Sequence, residues 1–138
     1  MTKAILLPVF LQIALTFLLL FTLGGARVRA VRSGEVAIKD IALGQNAWPE
    51  QITKIGRAYQ NQLETPVLFY ALVALALSMN KVDLLLVAGA WAFVAVRAVH
   101  AYVHVTDNRL PRRFQAFAAA SIVLTAMWAY FALRVLAS

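Results

Sequence analysis

The chain has 138 residues, of which 62% are hydrophobic and 14% are charged, and its formal net charge is +7. Because average globular domains carry about a quarter charged residues, this composition argues against a water-soluble domain and favours lipid as the solvent. Cysteine is absent, which excludes disulfides and thiolate metal ligands. The basic residues lie beside apolar segments and do not form a stripe with exposed aromatic residues, so the positive charge does not indicate nucleic-acid binding.

Four apolar segments follow one another along the chain, each long enough to cross a bilayer core of roughly 30 Å. We predict helices over about residues 4–26, 53–80, 83–106 and 112–136. The first is longer than the apolar region of a signal peptide and no small-residue cleavage site follows it, so we interpret it as a retained helix. Short links after the second and third helices require antiparallel neighbours. The expected fold is therefore all-α and integral to the membrane, a single domain over residues 1–138 built as an antiparallel bundle of four transmembrane helices.

Basic residues are distributed unequally between the two sides of such a bundle. Four spans place the first and third loops on one side, and the second loop with both termini on the other. The first side carries nine basic residues against three on the second: Arg27, Arg29, Arg32, Lys39, Lys54, Arg57, Arg109, Arg112 and Arg113 against Lys3, Lys81 and Arg134. By the positive-inside rule, we expect loops one and three in the cytoplasm and both termini on the non-cytoplasmic side.

The second predicted helix has a polar face. Arg57, Asn61 and Glu64 stand at i, i+4 and i+7, which places them on one side of a helix. Glu64 lies about 10 Å along the axis from Arg57 at a rise of ~1.5 Å per residue, so it should reach past the headgroup boundary. Pro66 follows two residues later and lacks an amide donor, which predicts a kink close to this face.

The third predicted helix repeats the pattern with Arg97, His100 and His104 at i, i+3 and i+7. Arg97 is the deepest of the three and should reach a depth similar to that of Glu64. A lone charge at mid-bilayer costs at least ~2.5 to 3.5 kcal/mol, and pairing offsets that cost. We therefore predict a Glu64–Arg97 ion pair, which either belongs to a functional site or only locks the two helices together.

Six basic side chains should converge at the cytoplasmic end and form a rim suited to a small polyanion with carboxylates: Arg27, Arg29, Arg57, His104, Arg109 and Arg113. The positive-inside rule alone also predicts basic residues there. His100 and His104 have the i, i+4 spacing that can hold a metal ion, but no third histidine exists, and we expect no metal site.

Two segments resemble a known family. The stretch RAYQNQLETPVLFYALVAL is similar to the second-helix signature of the membrane-associated proteins in eicosanoid and glutathione metabolism, the MAPEG family, in which an arginine is followed by an asparagine and a glutamate, here Arg57, Asn61 and Glu64. The stretch VRAVHAYVHVTDNRLPRRF resembles the third helix of that family and its following turn. Chain length, four spans and a long first loop also agree, so the resemblance covers nearly the whole chain.

The resemblance implies a homotrimer that binds glutathione as co-substrate between neighbouring subunits, near the cytoplasmic side. The positions that match residues contacting or supporting glutathione are Arg27 or Arg29, Arg57, Asn61, Glu64, Arg97 and His104, and we add Arg109 from the rim. Arg113 matches the arginine that stabilises the thiolate, a role in keeping with the lowering of a thiol pKa by a nearby cation. Arg113, Arg29 and His104 are therefore the catalytic candidates.

The sequence resembles most the short bacterial branch of the family, and this resemblance implies a location in a bacterial inner membrane. Gln60 stands where several eukaryotic members have an arginine, His104 where they have a tyrosine, and Phe114 where the prostaglandin synthase branch has a serine. The leading hypothesis is a glutathione transferase or peroxidase that acts on lipophilic electrophiles dissolved in the membrane lipid. The alternative is a non-catalytic module of the same fold that binds a lipid or joins a larger complex. A transporter is not favoured because the chain lacks inverted halves.

Overall fold

A computed structural model describes residues 1–42 and 47–137, so residues 43–46 of the first predicted loop and Ser138 lie outside the described residues. Every regular element in the described ranges is an α-helix, as the sequence predicts. In chain order the helices are α1 (Thr2–Arg32), α2 (Ile38–Ile41), α3 (Glu50–Gln62), α4 (Thr65–Ser78), α5 (Leu84–Val105) and α6 (Leu110–Leu136).

Three of these helices, α1, α5 and α6, are long and apolar enough to cross a membrane. They have 31, 22 and 27 residues, and even the shortest extends over about 33 Å at a rise of ~1.5 Å per residue, which matches a bilayer core. Large apolar side chains such as Phe10, Leu18 and Phe21 are exposed on the outside of α1. A surface of this kind suits contact with lipid rather than with water.

The predicted second helix is interrupted, which corrects the expectation of one helix over residues 53–80. It consists of α3 with 13 residues and α4 with 14, separated by Leu63 and Glu64. Pro66 lies in the first turn of α4, and because its nitrogen carries no hydrogen it cannot donate to the carbonyl of Gln62. The predicted kink is thus a complete break, and neither half alone has the length of a membrane span.

Helix α1 is longer than predicted and ends at Arg32 instead of near residue 26. Arginine is a good helix former, and Arg29 and Arg32 lie in the last turn, where a cation interacts favourably with the helix dipole. Gly34 follows with a φ of 78°, a conformation that ends helices. Arg27 and Arg29 therefore lie on α1 and not in the loop predicted from the sequence.

Among the groups of buried side chains that hold the bundle together, the two largest show how the helices are arranged. The larger group joins α1, α4, α5 and α6 and includes Ile5, Phe69 and Phe93, with the two phenylalanine rings stacked at a centroid distance of 4.7 Å. The smaller group packs the last part of α1 against α3 through Ala30 and Ile52. The C-terminal part of α1, α3 and the α5–α6 turn thus lie together at one end of the bundle, which we call the basic end.

At the opposite end, Asp83 connects the start of α5 to the end of α6. Its Oδ1 accepts a hydrogen bond from the backbone N–H of Leu86 at 2.9 Å, so that it caps α5. Its Oδ2 accepts a hydrogen bond from the Tyr130 hydroxyl and pairs with Nη1 of Arg134 at 2.6 Å. Partial burial acts to raise the pKa of Asp83, but the hydrogen bonds from Tyr130 and Leu86, together with the charge of Arg134, outweigh it and lower that pKa below its usual value.

We expect Asp83→Asn to lower the thermal unfolding midpoint at neutral pH by a few degrees, because asparagine keeps the helix cap but removes the charge that Arg134 binds. Since the folded-state pKa is depressed, the stability contributed by ionised Asp83 is fully present above the unfolded-state pKa of about 3.9 and is lost as the pH falls through the lower folded-state value. Unfolding of the detergent-solubilised protein between neutral and acidic pH measures both effects. Glu35→Gln, an exposed carboxylate at the other end, is the control, and an equal response of the two variants would contradict the assignment.

Candidate functional site

A cavity of about 450 Å³ opens at the basic end, between α3, α5 and the first turns of α6. Five of the nine site residues predicted from the sequence line it, namely Arg57, Asn61, Glu64, His104 and Arg113. The remaining lining residues are Gln60, His100, Leu110, Phe114 and Phe117. The cavity therefore combines cations, one carboxylate, two imidazoles and two aromatic rings within a single space.

Helix α3 and the break that follows it supply one wall. Arg57, Gln60 and Asn61 repeat at helical spacing along α3, and Glu64 stands in the break, immediately before α4. Both Arg57 and Glu64 are exposed, so their charges are accessible to a molecule in the cavity. Opposite charges thus line the same wall of the cavity, a positive one on α3 and a negative one in the break that follows it.

The opposite wall carries His100 and His104 on one face of α5. Their side chains are buried, their ring centroids are 5.8 Å apart, and the rings are nearly perpendicular. Neither Nδ1 atom has a hydrogen-bond partner within residues 1–42 and 47–137. Because buried polar atoms are normally paired, these nitrogens are candidates for hydrogen bonds with a bound molecule. His100 was not among the site residues predicted from the sequence, although its spacing to His104 had placed both on one face.

Arg97 lies beneath the cavity and does not pair with Glu64, so that prediction is wrong. Within the described part of the chain no nitrogen of Arg97 lies within 4.0 Å of a Glu64 oxygen, although the two charges are close enough to interact electrostatically. Instead Arg97, which is fully buried, donates from Nη2 to the backbone carbonyl of Asn61 at 2.8 Å. The break frees carbonyls in the last turn of α3, and Arg97 takes one of them. The guanidinium thus caps the C-terminus of α3, where the helix dipole favours a cation.

A second buried contact fixes the same turn of α3 from the other side. Gln12, in the middle of α1, donates from Nε2 to Oε1 of Gln62 at 2.7 Å, and both side chains are fully buried. Hydrogen bonds of this kind between membrane helices hold them in one register. Neither residue was among those predicted from the sequence. The signal available was the presence of Gln12 within an otherwise apolar segment.

Arg113 is held at the cavity by the turn between α5 and α6. Its Nη1 donates to Oδ1 of Asn108 at 2.8 Å, and the backbone N–H of Asn108 donates to the carbonyl of Val103 at 2.8 Å. Asn108 has a φ of 51°, in the left-handed region that asparagine tolerates better than most residues. The neighbouring Asp107 instead binds Arg112, whose Nη1 lies 3.1 Å from Oδ2. The turn therefore directs two consecutive arginines to different partners.

Besides Arg97, three predicted site residues do not line the cavity of this chain. The guanidinium of Arg27 lies over the ring of Trp48 at 5.0 Å from its centroid, and Arg29 is exposed on α1. Arg109 is exposed and its Nε lies 3.8 Å from Oδ2 of Asp107. A single chain thus presents Arg57 and Arg113 in the cavity and leaves the arginines of α1 outside it.

The model of the MAPEG family matches residues 5–133 of the 138-residue chain. The chain belongs to the MAPEG family. This membership, together with three helices of membrane-spanning length, makes it an integral membrane protein related to glutathione and eicosanoid metabolism. Comparison with curated proteins and with solved structures gave no match.

In this MAPEG protein, we expect the left-handed conformation of Asn108 to matter for stability. Asn108→Ala should be less stable than Asn108→Gly by about 1 kcal/mol, because a left-handed conformation strains alanine but not glycine. Both variants lose the side-chain oxygen that accepts the hydrogen bond from Arg113. The difference between their stabilities therefore reports the cost of the left-handed backbone conformation for alanine. Chemical or thermal unfolding in detergent measures it, and equal stabilities would show that the turn does not adopt this conformation.

Proposed function

We propose that this MAPEG protein binds glutathione in the cavity at the basic end and is a membrane-embedded transferase or peroxidase acting on lipophilic electrophiles. The observation that supports this most strongly is the placement of Arg57, Glu64 and Arg113 around one cavity of about 450 Å³. Glutathione carries two carboxylates, one ammonium group and a thiol. Arginines bind carboxylates through paired hydrogen bonds, and a carboxylate binds an ammonium group, so this set of charges complements the tripeptide.

In the proposed reaction, Arg113 stabilises the thiolate, because a cation nearby lowers the pKa of a thiol. For conjugation, the sulfur then donates an electron pair to an electrophilic carbon, and either a leaving group departs with its bonding pair or the carbanion formed by addition takes a proton. For peroxide reduction, two glutathione molecules are oxidised to their disulfide while a hydroperoxide is reduced to an alcohol and water. His104 is the group that would donate or orient the proton.

The apolar side of the cavity supports a lipophilic second substrate. Phe114 and Leu110 line the cavity and are each 65% exposed, so the cavity wall continues into the outer apolar surface of α6. A molecule dissolved in the acyl chains has direct access to such an opening. The thiol end of glutathione and the electrophile would meet beside Arg113 and Phe114, which are neighbours on the same helix turn.

We further propose that the protein is a homotrimer in which a neighbouring subunit completes the site. Arg27 and Arg29 lie outside the cavity of their own chain, on the rigid C-terminal part of α1. This position allows an arginine of α1, Arg29 in particular, to reach the cavity of the next subunit as a further cation for a glutathione carboxylate or the thiolate. In this arrangement α3 and α4 together form the fourth membrane crossing.

The proposed orientation follows from charge. The basic end carries nine of the basic residues and the opposite end only Lys3, Lys81 and Arg134. By the positive-inside rule, we propose that the basic end and its cavity face the cytoplasm and that both termini lie on the non-cytoplasmic side. The resemblance to the short bacterial branch supports a bacterial inner membrane as the location.

Glutathione binding can be tested by replacing Arg112 and Arg113 separately, because these consecutive arginines have different partners and only Arg113 lines the cavity. Glutathione should raise the unfolding midpoint of the detergent-solubilised wild type, because a ligand that binds only the folded state stabilises it. Arg113→Ala should weaken binding about tenfold or more, the effect of losing a hydrogen bond to a charged group. Arg112→Ala removes the same charge outside the cavity and should bind like the wild type. Failure of millimolar glutathione to stabilise the wild type, or equal losses in both variants, would refute the proposal.

The role of Glu64 can be tested with a changed ligand. Glu64→Gln should weaken glutathione binding about tenfold, because the ammonium group loses its charged partner. The same substitution should leave the weaker binding of des-amino glutathione unchanged, since that analogue has no ammonium group. Calorimetric titration of both ligands against both proteins gives a double-mutant cycle. An equal loss for the two ligands would show that Glu64 acts only on the shape of the cavity.

A further inference from the structure

A second depression lies on the other side of the α5–α6 pair. It is a groove of about 430 Å³ lined by Ala95, Val96, Val99, Val103, Arg112, Gln115 and Ala116. Five of these seven side chains are small and apolar, and Val99 is 56% exposed. The apolar part follows α5 from Ala95 to Val103, a distance of about 12 Å at a rise of ~1.5 Å per residue.

The groove is separate from the glutathione cavity. On α6, Arg113 and Phe114 line the cavity, whereas Arg112 and Gln115 line the groove. The two depressions share no lining residue, and the α5–α6 turn directs Arg113 towards Asn108 and Arg112 towards Asp107. A ligand of the groove therefore need not compete with a ligand of the cavity.

The groove is amphipathic along its length. The mouth of the groove lies at the basic end and carries Arg112, whose side chain is 61% exposed. Arg112 and the neighbouring Arg109 both pair with the carboxylate of Asp107. Asp107 neutralises only one of these two positive charges. From this mouth the groove runs past Gln115 towards the membrane interior along alanine and valine side chains, so it offers a cation at headgroup level and mainly apolar surface below it.

We propose that this groove binds one anionic phospholipid, with its phosphate at Arg112 and an acyl chain along Ala95, Val99 and Val103. The chemistry of both parts of the lipid is matched: the excess positive charge attracts the headgroup, and the apolar floor accommodates the chain. This inference does not rest on glutathione binding.

In the proposed trimer a neighbouring subunit approaches the cavity, on the other side of the α5–α6 pair, so the groove itself stays open to lipid. Nine basic and five acidic residues lie at the basic end, the acidic ones being Glu35, Asp40, Glu50, Glu64 and Asp107. The excess positive charge at this end favours an anionic lipid over a neutral one.

The test compares binding of phosphatidylglycerol and phosphatidylcholine by native mass spectrometry of the delipidated protein in a neutral detergent. The wild type should bind the first phosphatidylglycerol about threefold to fivefold more tightly than phosphatidylcholine, the factor that one exposed charge pair supplies. Arg112→Gln should abolish this preference. Arg32→Gln makes the same change of net charge at the same end, away from the groove, and should retain it. A preference equal in both variants would overturn the proposal, since lipid selection would then reflect overall charge.

The apolar part of the groove is tested by filling it. Val99→Trp, or the milder Ala95→Leu, should weaken binding of both lipids by a similar factor. Ile122→Trp places the same bulk on an exposed part of α6 outside the groove and should have no effect. If Val99→Trp changes the oligomeric state while the affinity for both lipids stays constant, the groove is a subunit interface and the proposal is overturned. Because glutathione binding is measured separately on the same proteins, failure of one proposal can be distinguished from failure of the other.

Discussion

Arg97 donates a hydrogen bond to the carbonyl of Asn61 at the point where α3 ends, and the arrangement of the basic end depends on this contact. Pro66 prevents the helix from continuing, which leaves carbonyls of its last turn without donors inside a membrane protein, where unpaired backbone groups are especially costly. The buried guanidinium of Arg97 supplies a donor for one of these carbonyls and lies at a helix C-terminus, where the helix dipole favours a cation. The broken segment is therefore held in one position although its helical hydrogen bonds are interrupted.

The cavity follows from that fixed break. With the end of α3 held by Arg97 on one side and by the Gln12–Gln62 hydrogen bond on the other, Glu64 is released from helical geometry and turns to the cavity. The opposite wall is set by the α5–α6 turn, in which Asn108 holds Arg113 beside the cavity. The same turn aims the preceding arginine away from it. One face of the α5–α6 pair thus belongs to a polar site, and the other carries the mainly apolar groove.

Helical periodicity was sufficient to bring several site residues together but not to give their contacts. The spacing of Arg57 and Asn61 on α3, and of the two histidines on α5, predicts shared faces, and the structure places these side chains around one cavity. The Glu64–Arg97 ion pair fails because periodicity assumes a continuous helix, and the break changes where Glu64 points. The role of Asn108 depends on a left-handed turn, and the position of Arg27 depends on the length of α1. Helical periodicity gives neither of these features.

The most direct test of this account is the distance between the guanidinium nitrogens of Arg97 and the backbone carbonyl carbon of Asn61, measured by dipolar-coupling solid-state NMR in lipid bilayers. With nitrogen-labelled arginine and carbonyl-labelled asparagine, we expect a coupling that corresponds to about 4 Å, as in a direct hydrogen bond. The coupling should disappear when Arg97 is replaced by methionine. A coupling from Arg97 to the side-chain carboxyl carbon of Glu64, with none to Asn61, would contradict the account.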